Sequence, residues 1–144
     1  MNTGLIKNVY LADDDEDDRF IFAEVLQQVD PSVNLWQFES GEKLTQILCE
    51  TLELVPDVVF LNINMPIKNG FECLQEIRSR SDNLKNIMII MYSTSRNPDT
   101  IARALELGAD WYLIKPASVS VLSSLIKKVL EINTAEPAPD FVLQ

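Results

Sequence analysis

The sequence predicts one α/β domain built on a doubly wound, five-stranded parallel sheet with helices on both faces. Short, β-rich apolar runs alternate with stretches whose apolar residues recur at helical spacing. The connections between them are short, as in a chain that passes from a strand through a helix to the next parallel strand. With 144 residues, the chain is long enough for one domain with a buried core.

The local patterns predict five strands and five helices in strict alternation. The second strand alternates like an edge strand, and Pro56 precedes the third. The expected elements are a strand over 7–12, a helix over 17–29, a strand over 34–38, a helix over 40–52, a strand over 57–61, a helix over 69–80, a strand over 86–92, a helix from 97 to 108, a strand over 110–114, and a helix that follows 116–118 and runs to about 132.

Capping residues and apolar faces support these helices. Ser40 and Asn97 are typical N-caps, Pro98 suits a first helical position, and Gly108 suits a helix end. The side chains expected to point inward are Phe20, Ala23 and Leu26 with Val25 or Val29, then Leu44, Ile47 and Leu48, then Phe71, Leu74 and Ile77, and finally Val121, Leu122, Leu125 and Val129.

The last residues, 133–144, carry two prolines and no periodicity. We therefore expect the domain to span 1–132 and the remainder to be a flexible C-terminal tail. The alternative is that the apolar stretch 141–143 docks on the domain.

Composition narrows the class of protein. The net charge of −10 argues against a nucleic-acid surface, and no apolar run or N-terminal pattern suggests a membrane span or a signal peptide. We expect a cytoplasmic protein.

The absence of histidine argues against histidine acid–base catalysis and a transition-metal site. Cys49 and Cys73 are interpreted as small apolar residues in a reducing compartment.

Polar residues follow four of the expected strands at the point where each strand ends. Because the carboxyl ends of parallel strands meet at one edge of a sheet, these residues should converge, and a ligand should bind there. Carboxylates crowded at a strand end repel each other, so a cation is an expected partner. The segments are Asp13–Asp15, Asn62–Asn64, Ser93–Ser95 and Lys115–Pro116.

These motifs, in this order and spacing, resemble the receiver domain of two-component response regulators over about residues 7–132. The resemblance implies a flavodoxin-like (CheY-like) fold with strand order 2-1-3-4-5. In that family an aspartate at the end of strand three accepts a phosphoryl group from a histidine kinase. An acidic pair after strand one holds Mg²⁺, a Ser or Thr follows strand four, and a Lys-Pro pair follows strand five.

The resemblance assigns the metal ligands by position. Asp13 and Asp14 match the acidic pair, with Asp14 the direct Mg²⁺ ligand and Asp13 reaching the ion through water, and Asn64 matches the residue whose backbone carbonyl coordinates the ion. The alternative for the acids is a helix N-terminus favoured by the macrodipole. That description suits Asp15 to Asp18 better.

The resemblance also assigns switch and loop residues. Ser93 matches the hydroxyl that binds the phosphoryl group, although a loop serine also caps helices. Tyr112 matches the aromatic that changes rotamer, although a tyrosine in a strand is often plain packing. Lys115 matches the cation that pairs with an acid or a phosphoryl oxygen. Pro116 matches a cis-proline that holds this lysine. Loop-shaping roles fall to Pro66 and to Gly70, which allows unusual backbone angles.

The sequence departs from the family at the phosphoacceptor position, which is Asn62. A neutral amide is not a nucleophile that forms an acyl phosphate, whereas a carboxylate is. We therefore predict that this chain is not phosphorylated there. The site also loses one negative charge, so Mg²⁺ should bind more weakly. The Asn62 oxygen is expected to accept a hydrogen bond from Lys115 or to coordinate the metal.

Three explanations of Asn62 remain open at this stage. The chain is a natural pseudo-receiver that signals by binding, or the residue is an engineered substitution, or Ser93 or Asp13 serves as another acceptor. We favour the first slightly over the second, and the third least.

We therefore expect a stand-alone, non-enzymatic receiver in a phosphorelay. Its expected partners are a sensor histidine kinase or phosphotransfer protein and a second copy bound through helix 4, strand 5 and helix 5. The alternative is a phosphorylation-independent module that binds proteins constitutively.

Two other classes fit the sequence less well. A Mg²⁺-dependent phosphatase would need an aspartate nucleophile and a second acid where Asn62 and Asn64 stand. A flavodoxin-like cofactor protein would need a phosphate-binding loop where acids follow strand one.

Overall fold

A computed structural model describes residues 6–50, 55–80, 84, 87–132 and 140–144. The expected end of the second helix near 52, the start of the fourth strand at 86 and the tail residues 133–139 lie outside this part of the chain. The elements are β1 (Asn8–Ala12), α1 (Glu16–Val29), β2 (Asn34–Phe38), α2 (Gly41–Glu50), β3 (Val58–Asn62), α3 (Gly70–Arg78), β4 (Met88–Ser93), α4 (Pro98–Glu106), β5 (Trp111–Ile114), α5 (Val119–Leu130) and β6 (Val142–Leu143).

All six strands lie in one parallel sheet in the order β2-β1-β3-β4-β5-β6. The strand order reverses between β1 and β3, which is where the ligands of such sheets bind. The ends of β3 and β4 are in register, with Asn62 opposite Tyr92. The α/β class and the predicted order of the first five strands are confirmed.

Two apolar layers cover the sheet because successive strand residues point to opposite faces. Every residue of β3 is buried, as expected for a central parallel strand. On one face the sheet packs on α2 and α3, and on the other on α1 and α5. Representative core residues are Leu44, Leu48, Leu74 and Ile77 in the first layer and Phe22, Leu26, Leu122 and Val129 in the second.

Most of the helices begin with a side-chain cap. The Asp15 carboxylate accepts a hydrogen bond from the Asp18 backbone at the start of α1, and Asn69 and Glu72 form a reciprocal capping box at α3. Asn97 caps α4, and Gly108, with φ of +102°, follows its end. Within the described part of the chain, no helix is long and apolar enough to cross a membrane.

The buried face of α1 matches the prediction in part, since Val25 and Leu26 point inward as expected but Phe20 does not. Phe20 is 66% exposed, and Phe22 and Val25 are buried together with Leu26. The sequence did not identify Phe22 as an inward residue because apolar residues occur on all sides of α1, so several inward faces satisfied the helical period. Exposed Ile47 and Val121 mark smaller errors at the margins of α2 and α5.

The C-terminal residues extend the sheet by one strand. β6 pairs in parallel with β5, with Val142 opposite Tyr112 and Leu143 opposite Leu113. Leu143 is buried in the apolar layer formed with α1 and α5. For residues 140–144, docking on the domain is therefore what the structure shows.

Candidate functional site

Four strand ends meet at one edge of the sheet, as the sequence predicted. Asp13 follows β1, Asn62 ends β3, Ser93 ends β4 and Lys115 follows β5. Asp13 is 0%, Asn62 7% and Ser93 1% exposed. Buried polar groups need partners, since an unsatisfied one is costly. The hydrogen bonds of these side chains therefore define the site.

The Asn62 side-chain nitrogen is the centre of this network. Nδ2 donates hydrogen bonds to Asp13 Oδ1 at 3.3 Å, to Asp14 Oδ1 at 3.2 Å and to the backbone oxygen of Asn64 at 3.1 Å. These three acceptors are the groups that the resemblance assigned to the metal. The amide therefore holds together the oxygens expected to surround a cation.

Lys115 binds carboxylates and not the Asn62 amide. Its Nζ lies 2.7 Å from Asp13 Oδ2 and 2.9 Å from Asp18 Oδ2, and 4.8 Å from the centre of the Tyr92 ring. The expected hydrogen bond to Asn62 was wrong because two ionised acceptors attract an ammonium more strongly than a neutral amide oxygen. Burial opposes the charge of Lys115, but its hydrogen bonds to the two carboxylates outweigh that effect and raise its pKa.

The Asp13 carboxylate is saturated with donors. One oxygen accepts from Asn62 and from the Asp15 backbone at 3.0 Å, and the other from Lys115. The Arg19 guanidinium donates to the Asp13 backbone oxygen at 2.8 Å. Removal from water raises the Asp13 pKa, because it outweighs the opposite effect of the Lys115 and Asp15 hydrogen bonds.

Sequence reasoning missed Asp18 and Arg19 as members of the site. Asp18 had been assigned to the helix macrodipole, but it lies one turn before Phe22 and two before Val25, on the buried face of α1. Had that face been identified, Asp18 would have appeared as its polar end next to the strand edge. Asp18 brings a negative charge to the site and Arg19 a positive one.

Ser93 and Tyr112 belong to a neighbouring network on the β4–α4 loop. Ser93 lies one residue beyond the register partner of Asn62, and its hydroxyl accepts from the Ser95 backbone at 3.1 Å. The Tyr112 ring is fully buried, and its hydroxyl donates to the Ser95 backbone oxygen at 2.9 Å. Both predicted switch residues therefore hold the same loop.

The loop after β3 depends on Gly70 because of a close backbone approach and not because of the unusual backbone angles that were expected, since among the described glycines Gly108 has a positive φ and Gly70 does not. A Cβ at Gly70 would lie 2.3 Å from the Asn62 backbone oxygen, and the Gly70 N–H donates to the Ile63 oxygen at 2.8 Å. Only glycine permits this approach. Pro66 is exposed, and Ile67 has a φ of +69°, a region that β-branched residues rarely adopt.

The peptide bond before Pro116 is trans, since the described residues contain no cis bond. The expected cis-proline was therefore wrong. The trans form is the lower-energy form of the peptide bond. Lys115 is held in place by its two carboxylate partners and by its backbone N–H, which donates a hydrogen bond to the Ser93 backbone oxygen at 2.8 Å.

A divalent cation does not fit the site with the amide in this orientation. The candidate ligands are the Asp13 and Asp14 carboxylates and the Asn64 carbonyl, but Asn62 Nδ2 takes the space between them. Across the described ranges, no group of three or more Asp, Glu, Cys or His side chains is arranged to hold a metal ion.

Comparisons with known proteins agree with this arrangement. The family described as "Response regulator receiver domain" matches residues 9–127. The two-component response regulator ORR6 of Oryza sativa subsp. japonica is 32% identical over 124 residues, which cover 85% of this chain and 70% of that protein. The chain spans about half the length of two further curated bacterial relatives, 52% and 47%.

Two solved structures are also similar. The phosphorylated cyanobacterial phytochrome response regulator RcpA has a TM-score of 0.79 at 28% identity, covering 88% of this chain and 92% of that one. The Mn²⁺-bound form of response regulator Rcp1 has a TM-score of 0.77 at 28% identity, covering 92% and 99%. The match to the family over most of the chain, with the fold and strand-end residues described above, shows that the chain belongs to the response regulator receiver domain family.

Proposed function

We propose that this chain is a receiver of two-component phosphorelay signalling that is not phosphorylated at the end of β3 and has no enzymatic activity of its own. The observation that carries the proposal is Asn62, a neutral amide at the end of β3, among Asp13, Asp14 and the loop of Asn64. Phosphoryl transfer to a side chain here would need a carboxylate nucleophile. The amide supplies none.

A second candidate is a constitutive protein-binding module. It is supported by the Ser93–Ser95–Tyr112 network, which is complete without a phosphoryl group. Lys115 likewise has two carboxylate partners already. A loop held in this way needs no phosphoryl oxygen to order it, so binding would not depend on a kinase.

We propose that any Mg²⁺ binds weakly, with Asp13, Asp14 and the Asn64 carbonyl as ligands and the Asn62 side-chain oxygen as a fourth. Hard cations select for ligand charge, and an amide at position 62 provides less than a carboxylate. When bound, the ion would neutralise the acidic pair.

The proposed partners are a sensor histidine kinase or a phosphotransfer protein. An exposed apolar patch beside the site supports this proposal. Ile21 is 39% and Val119 55% exposed, and both line a 280 Å³ cleft next to Lys115. Exposed apolar side chains grouped near a site favour contact with another protein.

The proposed homodimer surface is formed by α4, β5 and α5, but β6 modifies it. Because β6 pairs with β5, the strand at this edge of the described sheet is β6. A partner would meet the side chains of residues 140–144 there and not the backbone of β5. Sedimentation of the purified protein would test whether a dimer forms.

The experiment that tests the proposed function is intact-mass measurement after incubation with Mg²⁺ and acetyl phosphate. The Asn62→Asp variant is the matched control, since it changes one atom of the same side chain. We expect a phosphoryl group on the variant alone. A phosphoryl group on the unaltered protein would show that another residue is the acceptor. If neither protein gains one, the constitutive module becomes the better proposal.

A further inference from the structure

We propose that the Asn62 amide substitutes for the divalent cation of this site, so that the acidic pair is held together without metal and a metal enters only when the amide turns. The inference rests on the proposed function, because it uses the same assignment of Asp13 and Asp14. It goes further by giving Asn62 a positive role. The residue then does more than remove a nucleophile.

The geometry supports the substitution. Asn62 Nδ2 lies 3.1–3.3 Å from two carboxylate oxygens and one backbone carbonyl oxygen, which belong to Asp13, Asp14 and Asn64. These are three oxygens from three separate residues that converge on one point. An amide nitrogen carries two N–H donors and no acceptor, so it offers this point partial positive charge. The nitrogen therefore stands where a cation would bind the same oxygens.

The orientation of the amide follows from the charges around it. Turning the side chain would place its oxygen next to two carboxylate oxygens and a carbonyl oxygen, which repel it when no cation is present. With a cation present, the preference reverses, because the amide oxygen is then a ligand and the N–H groups would face a positive charge. The metal-free and metal-bound arrangements are thus mutually exclusive orientations of one side chain.

This reasoning predicts how other residues at position 62 behave. Alanine would remove the donors and leave Asp13, Asp14 and the Asn64 carbonyl facing open space, which favours a cation. Aspartate would add a third carboxylate and need a cation more strongly. The unexpected consequence is that Asn62→Ala, which has fewer candidate ligands than the unaltered protein, should bind Mg²⁺ more tightly.

The test compares thermal unfolding and calorimetric Mg²⁺ titration of the unaltered protein, Asn62→Ala and Asn62→Asp. Each is measured with chelator and with about 10 mM MgCl₂, since a ligand that binds only the folded state raises the unfolding midpoint. Asn34→Asp is a control that adds a carboxylate on β2. The Asn34 side-chain amide donates a hydrogen bond to the Asn8 side chain. We expect both position-62 variants to gain stability from Mg²⁺, and the unaltered protein and Asn34→Asp to gain almost none.

The affinities give the decisive comparison. We expect Mg²⁺ to bind Asn62→Ala at least about tenfold more tightly than the unaltered protein, because turning the amide forfeits hydrogen bonds to charged oxygens. Equal affinities, or tighter binding by the unaltered protein, would overturn the proposal.

A measurement on the unaltered protein guards against a variant that fails to fold. The side-chain ¹⁵N–¹H₂ resonances of Asn62 are followed during a Mg²⁺ titration. They should keep their shifts up to about 10 mM MgCl₂, and a change below that concentration would refute the substitution. Phosphorylation of the unaltered protein would defeat the proposed function and leave this result standing, so the two failures are distinguishable.

Discussion

Replacing Lys115 with methionine should destabilise the fold because it leaves a buried carboxylate without its cation. Asp13 is fully buried, and the Lys115 side chain is 10% exposed. Removing one partner of such a pair costs about 3–5 kcal/mol. Asp13 keeps its hydrogen bonds from Asn62 and the Asp15 backbone, so the lower end applies. We expect a loss of about 3 kcal/mol, which is a large fraction of typical domain stability.

Equilibrium urea unfolding followed by tryptophan fluorescence measures this loss. With a slope of about 2 kcal/mol per molar, the midpoint should fall by about 1.5 M. Asp18→Asn is the matched control, because the Asp18 side chain is 38% exposed and is the more exposed of the two carboxylates that bind Lys115. This substitution should lower the free energy of unfolding by less than about 1 kcal/mol.

A double-mutant cycle tests the assignment to the ion pair. Asp13→Asn combined with Lys115→Met should cost clearly less than the two single changes together, because no unpaired buried charge is left and Asp18, the other partner of Lys115, is 38% exposed. In Lys115→Met the deficit should also shrink as pH falls. Burial raises the Asp13 pKa, so a protonated Asp13 stabilises the folded state of the variant. Additive effects, or a loss under about 1 kcal/mol for Lys115→Met, would refute the reasoning.

Three further outcomes are expected. Gly70→Ala should destabilise by about 3 kcal/mol in urea unfolding, because its Cβ would lie 2.3 Å from the Asn62 backbone oxygen and neither backbone can easily move; an unchanged midpoint would contradict this. Leu143→Ala should cost about 2 kcal/mol by the same assay, since Leu143 is buried, whereas a mobile strand would lose nothing. A thiol reagent should label the partly exposed Cys49 in the native protein but should label Cys73 only after unfolding. Burial hides the Cys73 thiol and raises its pKa to about 11, so little reactive thiolate forms. Labelling of both thiols in the native state would contradict this.

The strands were predictable because each apolar run is short and is followed by a polar break. β3, buried at every residue, follows Pro56 and ends at Asn62, so the positions of both the strand and the site could be predicted. Their convergence at one edge then followed from the parallel order alone.

The contacts of the site were only partly predictable. The acidic pair, Asn62 and the Asn64 carbonyl were identified by position, and the structure brings them together. The choice of Lys115 partner depended on which face of α1 is buried, and the sequence of α1 allowed several. Tertiary packing of Phe22 decided the face and so brought Asp18 to the site.

The C-terminal strand was beyond a pattern-based prediction for a different reason. β6 has two residues, too few to show the alternation that identifies a strand. Its stability comes from partners distant in sequence, including the Tyr112 N–H, which donates to the Phe141 oxygen at 2.9 Å.

The short β6 has a consequence for the open edge of the sheet. An open strand edge offers a row of backbone N–H and C=O groups to any extended chain, and proteins often blunt such edges with very short strands. β5 would present four residues to such a chain, whereas β6 presents two. Strand-to-strand fusion of two sheets is therefore disfavoured on this side. Any partner on this side would instead be recognised by side-chain shape and charge, which distinguish partners in a way that a bare backbone edge does not.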